Sequence, residues 1–221
     1  MKKNIFITGG TGYMGSRLIP LLAERGHRVT ALIRKGSEDK LPAGATKALG
    51  DPLRRDSYTK FVRGADTFIH LIGAPHPSPA KSRQFREIDY VSVQVAAKAA
   101  CEAEVKHFIY LSVAQPAPIM REYVAVRAEC ETVLHASGLP VTFLRPWYVL
   151  GPGHRWPYMV LPLYWVAACL PGMRNGSRRL GLVTLSQMLK TLLWTVENPP
   201  EDVQILEVPQ IRKTPKLPPS T

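Results

Sequence analysis

The chain has 221 residues and a mass of 24.6 kDa, which suits one domain with a small appended lobe. Hydrophobic residues make up 45%, enough for a sizeable core, and 29 basic against 17 acidic residues give a net charge of +12. That charge favours anionic partners, but the basic residues are dispersed and no helix-turn-helix, zinc finger or aromatic RNA platform is visible, so nucleic acid is not expected as a partner.

Lys3–Thr8 is a short apolar run and reads as a first strand. It runs into Gly9, Gly12 and Gly15, and a helical pattern follows over Tyr13–Arg25, with Met14, Leu18, Leu21 and Leu22 on one face and Gly26 as its stop. Arg28–Ile33 is a second strand, Thr46–Leu49 a third, Asp56–Val62 a short helix, and Thr67–Ile72 a nearly all-apolar fourth strand. Arg86–Ala103 reads as a long helix, His107–Leu111 as a fifth strand, Arg121–Ala136 as another helix and Val141–Leu144 as a sixth strand. Strands alternating with helices predict an α/β fold: a doubly wound parallel sheet of the Rossmann type with helices on both faces.

After Pro146 the regularity fails, with prolines at 152, 157, 162 and 171. Leu185–Val196 reads as a helix and Val203–Val208 as a last strand. The expected division is a core over residues 1–150, a small C-terminal lobe over 151–211 that completes the same domain, and a mobile basic, proline-rich tail over 212–221. The apolar stretch Tyr158–Leu170 is too short to span a membrane and reads as core or pocket wall. Ile5–Ile7 is too short for the apolar part of a secretory leader, so none is expected. Cys101, Cys130 and Cys169 lack metal spacing, read as buried free thiols and point to a reducing, cytoplasmic location.

The glycine turn between strand and helix is the sharpest functional signal. Gly9 allows the tight turn, Gly12 lets the backbone approach a pyrophosphate, and Gly15 lets the helix pack closely on the strand. The second strand ends Ile33-Arg34-Lys35, without the acid that an NAD-preferring site places on the ribose hydroxyls. Arg34 and Lys35 suit the 2′-phosphate of NADP, so NADP is expected as the cofactor and NAD is the weaker candidate. There is no His-Glu-x-x-His, paired Cys-x-x-Cys or P-loop lysine, so no metal site is expected. His70, inside an apolar strand, reads as a satisfied core histidine; His76 and His154 lie in loops; Glu87 and Asp89 have no trusted catalytic or metal spacing.

Taken together, Thr8–Gly15, the Gly50-Asp51 pair, Phe68–Gly73, Phe108–Ser112, Leu144-Arg145-Pro146 and Gly151-Pro152-Gly153 resemble, in order and spacing, the short-chain dehydrogenase/reductase superfamily. More narrowly, the chain resembles its atypical NmrA-like NAD(P)H-binding branch, related to the NAD-dependent epimerases and dehydratases. The resemblance covers roughly residues 3–208.

It implies that Gly9, Thr11, Gly12, Tyr13, Met14 and Gly15 surround the pyrophosphate. Asp51 would accept from the adenine amino group, with Pro52 or Leu53 beside the ring, although a plain turn aspartate is an equal reading. Ile72, Gly73 and Ala74 would line the ribose and nicotinamide, and Pro146, Trp147 and Tyr148 would lie on the wall after the sixth strand. The family's Ser–Tyr–Lys set would map to Ser112, Tyr123 and Arg127, with arginine in place of lysine four residues after the tyrosine. Tyr123 would act as general acid/base, Ser112 would hold the substrate oxygen, and Arg127 would lower the tyrosine pKa and hold the nicotinamide ribose.

Two functions follow as expectations. One is an NADP-dependent oxidoreductase for a small or apolar carbonyl or alcohol. The other is a non-catalytic NAD(P)-sensing regulatory or assembly protein, which the missing lysine favours. The aromatic group Trp147, Tyr148, Trp156, Tyr158, Tyr164 and Trp165 fits either a hydrophobic substrate or the packing of the lobe. That lobe is short for a nucleotide-sugar site, which argues against epimerase chemistry. Helices Arg86–Ala103 and Arg121–Ala136 could pair across a homodimer, and a monomer is an equal expectation.

Overall fold

The computed structural model describes residues 1–74, 78–117, 119–153 and 180–215. The strands are β1 (Asn4–Thr8), β2 (Arg28–Ile33), β3 (Ala45–Leu49), β4 (Thr67–His70), β5 (His107–Leu111), β6 (Val141–Arg145), β7 (Tyr148–Leu150), β8 (Leu182–Thr184) and β9 (Val203–Glu207). The helices are α1 (Gly15–Glu24), α2 (Thr59–Val62), α3 (Ser82–Gln84), α4 (Val91–Glu102), α5 (Arg121–Ala136), α6 (Leu185–Glu197) and α7 (Val208–Lys213).

Seven strands form one sheet in the order β3-β2-β1-β4-β5-β6-β9, and every pairing is parallel. The order reverses direction at β1, between β2 and β4. In open α/β sheets that reversal opens a crevice beyond the carboxyl ends of the strands. A separate pair, β7 with β8, lies outside this sheet.

Successive side chains of the central strands point to opposite faces of the sheet, as a period of two requires. Phe6, Phe68 and Phe108 stand in register on one face, with ring centroids 5.2 Å and 4.9 Å apart across the strands. They join Ala96, Ala99, Ala100 and Cys130 of α4 and α5 in one buried cluster. Ile5, Ile7, Ile69 and Ile109 point the other way, into a cluster with Leu18 and Leu22 of α1 and Met188 and Leu192 of α6. A strand buried on both faces must be apolar throughout, which is why these segments read so plainly in sequence.

Three expectations need correction. The long helix expected over 86–103 is interrupted: Phe85–Tyr90 is wound more widely, as a π-helical segment, before α4 begins at Val91. Cys101 is exposed, not buried; Cys130 is buried, and burial pushes its thiol up to about 11. Residues 212–214, expected in a mobile tail, are docked. The Arg212 guanidinium donates to the Leu182 carbonyl at 2.6 Å and 3.0 Å, and the Thr214 and Thr191 hydroxyls meet at 2.8 Å. Residues 216–221, His76, His154, Cys169 and the aromatics at 156, 158, 164 and 165 lie outside the described residues.

Candidate functional site

Of the expected cofactor residues, those of the turn and loop segments follow the carboxyl ends of the parallel strands, while Tyr123 and Arg127 sit on α5. Gly9 follows β1 with a φ of +77°, a conformation open to glycine at little cost. The Gly12 amide closes the turn onto the Gly9 carbonyl at 3.0 Å. A Cβ on Gly15 would fall 2.3 Å from the Gly9 oxygen and 2.7 Å from the Gly10 Cα, so only glycine lets α1 sit this close to the turn. Among the described residues, a Cβ on Gly12 would meet only the Gly9 oxygen, at 3.1 Å. Helix α1 starts with no side-chain cap and no acidic residue in its first turn, which leaves its N-terminus suited to an anion. Arg17 donates to the Tyr13 carbonyl at 2.7 Å and lies over the Tyr13 ring at 4.5 Å.

Arg34 and Lys35 follow β2, are exposed and form no ion pair among the described residues. Asp51 follows β3. Its Oδ1 accepts from the Leu53 amide at 2.9 Å, the bond of an Asx turn, so the turn role is present whatever else the carboxylate does. Pro52 is half-buried and Leu53 exposed at the rim. Ile72 and Gly73 are half-buried and Ala74 is buried after β4. Pro146 accepts from the Ala114 amide at 2.9 Å, and the Trp147 and Tyr148 rings meet edge to face at 5.5 Å.

A buried polar network runs beneath these loops. Ser92 donates to the Asp89 carbonyl at 3.1 Å. Having one hydrogen, it must accept from His70 Nε2 at 3.2 Å, which leaves His70 Nδ1 to accept from the Thr8 hydroxyl at 2.9 Å. His70 is thus a neutral Nε2–H tautomer, and burial first, then Arg127, lowers its pKa to about 3. The expected core histidine is borne out.

Arg127 is on α5, one turn after Tyr123, and is 5% exposed. Its Nη2 forms an ion pair with Asp89 Oδ1 at 2.6 Å, and its Nη1 donates to the Tyr110 hydroxyl and the Leu111 carbonyl, both at 2.9 Å. The guanidinium lies over the Tyr123 ring at 5.2 Å, so the contact with Tyr123 runs through the ring face. Its Nε has no hydrogen-bond partner among the described residues. A buried donor left in that state is costly, and an arriving acceptor would satisfy it. Burial pushes the Asp89 carboxyl up, while Arg127 and the Ala74 amide pull it back.

Ser112 follows β5 and is buried, and its hydroxyl donates to Glu131 Oε1 at 2.5 Å. The same oxygen accepts from Arg145 Nε at 3.0 Å, and Arg145 Nη2 pairs with Glu131 Oε2. Tyr123 is half-buried against Phe85, ring centroids 5.0 Å apart. Asp89 and Glu131 are the residues that sequence reasoning missed. Tyr123, Arg127 and Glu131 recur every four residues on one face of α5, and that stripe was the available signal.

An all-parallel doubly wound sheet with a glycine turn at its switch point defines a nucleotide-binding α/β protein. The chain belongs to the NAD(P)H-binding family, whose profile matches residues 9–155. It is 27% identical over 179 residues to the ceramide reductase of Caulobacter vibrioides (strain NA1000 / CB15N), covering 79% of this chain and 55% of that one. It is 27% identical over 162 residues to isoflavone reductase homolog A622 of Nicotiana tabacum, covering 65% and 47%. The chain thus spans about half the length of these curated relatives. In fold it is similar to the Bordetella bronchiseptica enzyme WbmH in complex with NAD+, with a TM-score of 0.69, 21% identity, and coverage of 92% of this chain and 75% of that one. The likeness to an isoflavone reductase homolog agrees with the resemblance read from the motifs. Among the described residues no helix is long and apolar enough to cross a membrane, and no metal-binding cluster is present.

Proposed function

We propose that this protein binds NADP(H) in preference to NAD(H) and transfers hydride between it and a small or apolar carbonyl or alcohol. The observation that carries the cofactor half is the glycine cradle together with Arg34 and Lys35, two exposed cations that form no ion pair among the described residues. The cradle fits the group: it has no acid in the first turn of α1, and among the described residues only the Gly9 oxygen stands near a Cβ built on Gly12. Gly9, Thr11, Gly12, Tyr13, Met14 and Gly15 would hold the pyrophosphate. Asp51, Pro52 and Leu53 would hold the adenine. Ile72, Gly73, Ala74, Pro146, Trp147 and Tyr148 would flank the nicotinamide side. The bound nicotinamide supplies or takes the hydride.

In this reading Tyr123 exchanges the proton with the substrate oxygen and Ser112 holds that oxygen. Arg127 keeps a permanent positive charge against the Tyr123 ring. The reductase names of the curated relatives support a redox role over a purely regulatory one, and ceramide is an apolar substrate of that relative. The free thiols at Cys101 and Cys130 fit a reducing cytoplasm. The division at residue 150, and a monomer or homodimer, complete the reading.

The test is a screen of purified protein with NADPH against a panel of apolar ketones and aldehydes, with Tyr123→Phe as control. Turnover that falls at least 100-fold in the variant supports the enzyme. Tight NADPH binding without turnover on any member of the panel turns the reading towards a binding protein.

A further inference from the structure

Helix α2 has only four residues, Thr59–Val62, and it leaves part of the sheet bare. Tyr58, just before it, stacks on Phe6 with ring centroids 5.8 Å apart and shares one buried cluster with Leu32 and Ala48. That cover stops short of the amino ends of β2 and β3. There Thr30 is half-buried and Thr46 exposed, and the two stand opposite each other in the β2–β3 register. Neither hydroxyl is hydrogen-bonded among the described residues. The result is a groove of about 740 Å³ over the amino ends of β1, β2 and β3, within the range of small-molecule sites, about 300–1,000 Å³.

Two arginines line it. Asn4 stands opposite Arg28 in the β1–β2 register, and its side-chain amide donates to the carbonyl of Gly64, the neighbour of Arg63. Arg28 and Arg63 therefore reach the groove from the two sides of one residue. Both are exposed, and neither forms an ion pair among the described residues. No acidic side chain is among the described lining residues; Asp66, next in sequence to the groove wall, is engaged by the Asn4 amide at 2.9 Å and by Lys106 at 3.3 Å. Phe61 forms a half-buried wall, with Lys60 Nζ over its ring at 5.0 Å. A concavity ringed by one sign of charge focuses its field on an anion, and guanidinium groups match the planar oxygen pairs of a phosphate.

We infer that this groove is a second ligand site, for a small phosphate monoester with a flat apolar body. Arg28 and Arg63 take the phosphate, Thr30 and Thr46 donate to its oxygens, and the Phe61 ring packs on the body. Asn4 and Gly9 are five residues apart along β1, roughly 16 Å at the strand rise, so the groove lies at the opposite end of the sheet from the glycine turn and shares no residue with it.

The experiment titrates phenyl phosphate into isotope-labelled protein and follows the backbone amides by NMR, with and without excess NADPH; phenol is the uncharged control. The amides of Thr30, Thr46 and Gly64 should shift along one binding curve in both conditions, and phenol should move them little. In Arg28→Gln/Arg63→Gln, which changes two exposed positions, the phenyl phosphate Kd should rise at least tenfold while the NADPH Kd stays within twofold. Thr30→Val keeps the side-chain shape and should raise the phenyl phosphate Kd about threefold. Shifts confined to Gly9, Gly12 and Gly15 that vanish with NADPH would put the phosphate in the glycine turn and overturn the proposal. A folded double variant that binds as wild type, equal shifts with phenol, or no shift at the three groove amides would also overturn it. Failure of NADPH to bind leaves the groove readouts intact and bears on the dinucleotide reading alone.

Discussion

The Ser112 hydroxyl donates to the Glu131 carboxylate at 2.5 Å, across a separation of 19 residues. Glu131 is also the main partner of Arg145, so one buried carboxylate ties the ends of β5 and β6 to α5. Removing Glu131 should therefore cost more than removing Ser112. Glu131→Ala leaves Arg145 with its longer ion pair to Glu207 at 3.7 Å, removes two charge-assisted contacts and should destabilise by about 2 kcal/mol. Ser112→Ala removes one hydrogen bond from a carboxylate that keeps Arg145, and should cost about 1 kcal/mol. Urea unfolding of the two variants checks the order; equal losses would show that Glu131 is not the hub.

The same substitution at two glycines should separate fold from binding. In Gly15→Ala the new Cβ has backbone on three sides within 3 Å, and overpacking of this kind costs about 1–3 kcal/mol or more. Gly12→Ala meets one oxygen at 3.1 Å and should leave the unfolding midpoint nearly unchanged. Yet its methyl stands where the pyrophosphate would approach, so NADPH affinity should fall more than tenfold. Thermal melts with NADPH titrations read both effects. A Gly12→Ala protein that binds as wild type would remove the turn from the cofactor site.

Cofactor choice should lie in Arg34 and Lys35. Arg34→Ala should raise the NADPH Kd about tenfold, the loss of about 1.4 kcal/mol expected of a charge-assisted contact to phosphate. The NADH Kd should stay within twofold. Fluorescence titration of both cofactors decides, and parallel changes would place the arginine elsewhere.

Stability should fall on mild acidification, because burial lowers both His70 and His107 to a pKa of about 3. The unfolded chain takes up those protons near pH 6.5, while the folded chain refuses them until near pH 3. Their contribution is complete above pH 6.5 and is lost as pH falls towards 3. From pH 6.5 to 5 each histidine should cost about 2 kcal/mol at most. His70→Gln, which carries no titrating group, should show a shallower pH slope in urea unfolding. An identical slope would mean that His70 takes up a proton in the folded state.

The fold was legible because a sheet covered on both faces writes itself as apolar runs. His107–Leu111 and Arg121–Ala136 fall where periodicity placed them. The π-helical segment Phe85–Tyr90 was not legible, since its apolar spacing over six residues also suits an ordinary helix. It carries Asp89, whose partner Arg127 sits on another helix. The glycine turn could be read because φ and close approach are properties of single positions. The roles of Asp89 and Glu131 depend on which distant arginine the fold delivers, and no local pattern fixes that. Beside the Tyr123–Arg127–Glu131 stripe, a clue for Asp89 was charge inside the apolar stretch Ile88-Asp89-Tyr90-Val91.

The pairing of β6 with β9 has a bearing on how the chain assembles. Val141 to Arg145 stand opposite Val203 to Glu207 in register, although all of β7, β8 and α6 comes between them in sequence. During synthesis β6 is made long before its outer neighbour exists. Until β9 arrives, its backbone is an open edge flanked by apolar Val141, Phe143 and Leu144. Nascent chains stalled before residue 203 should therefore stick to one another at that edge, and the last strand acts as the seal that ends this exposure.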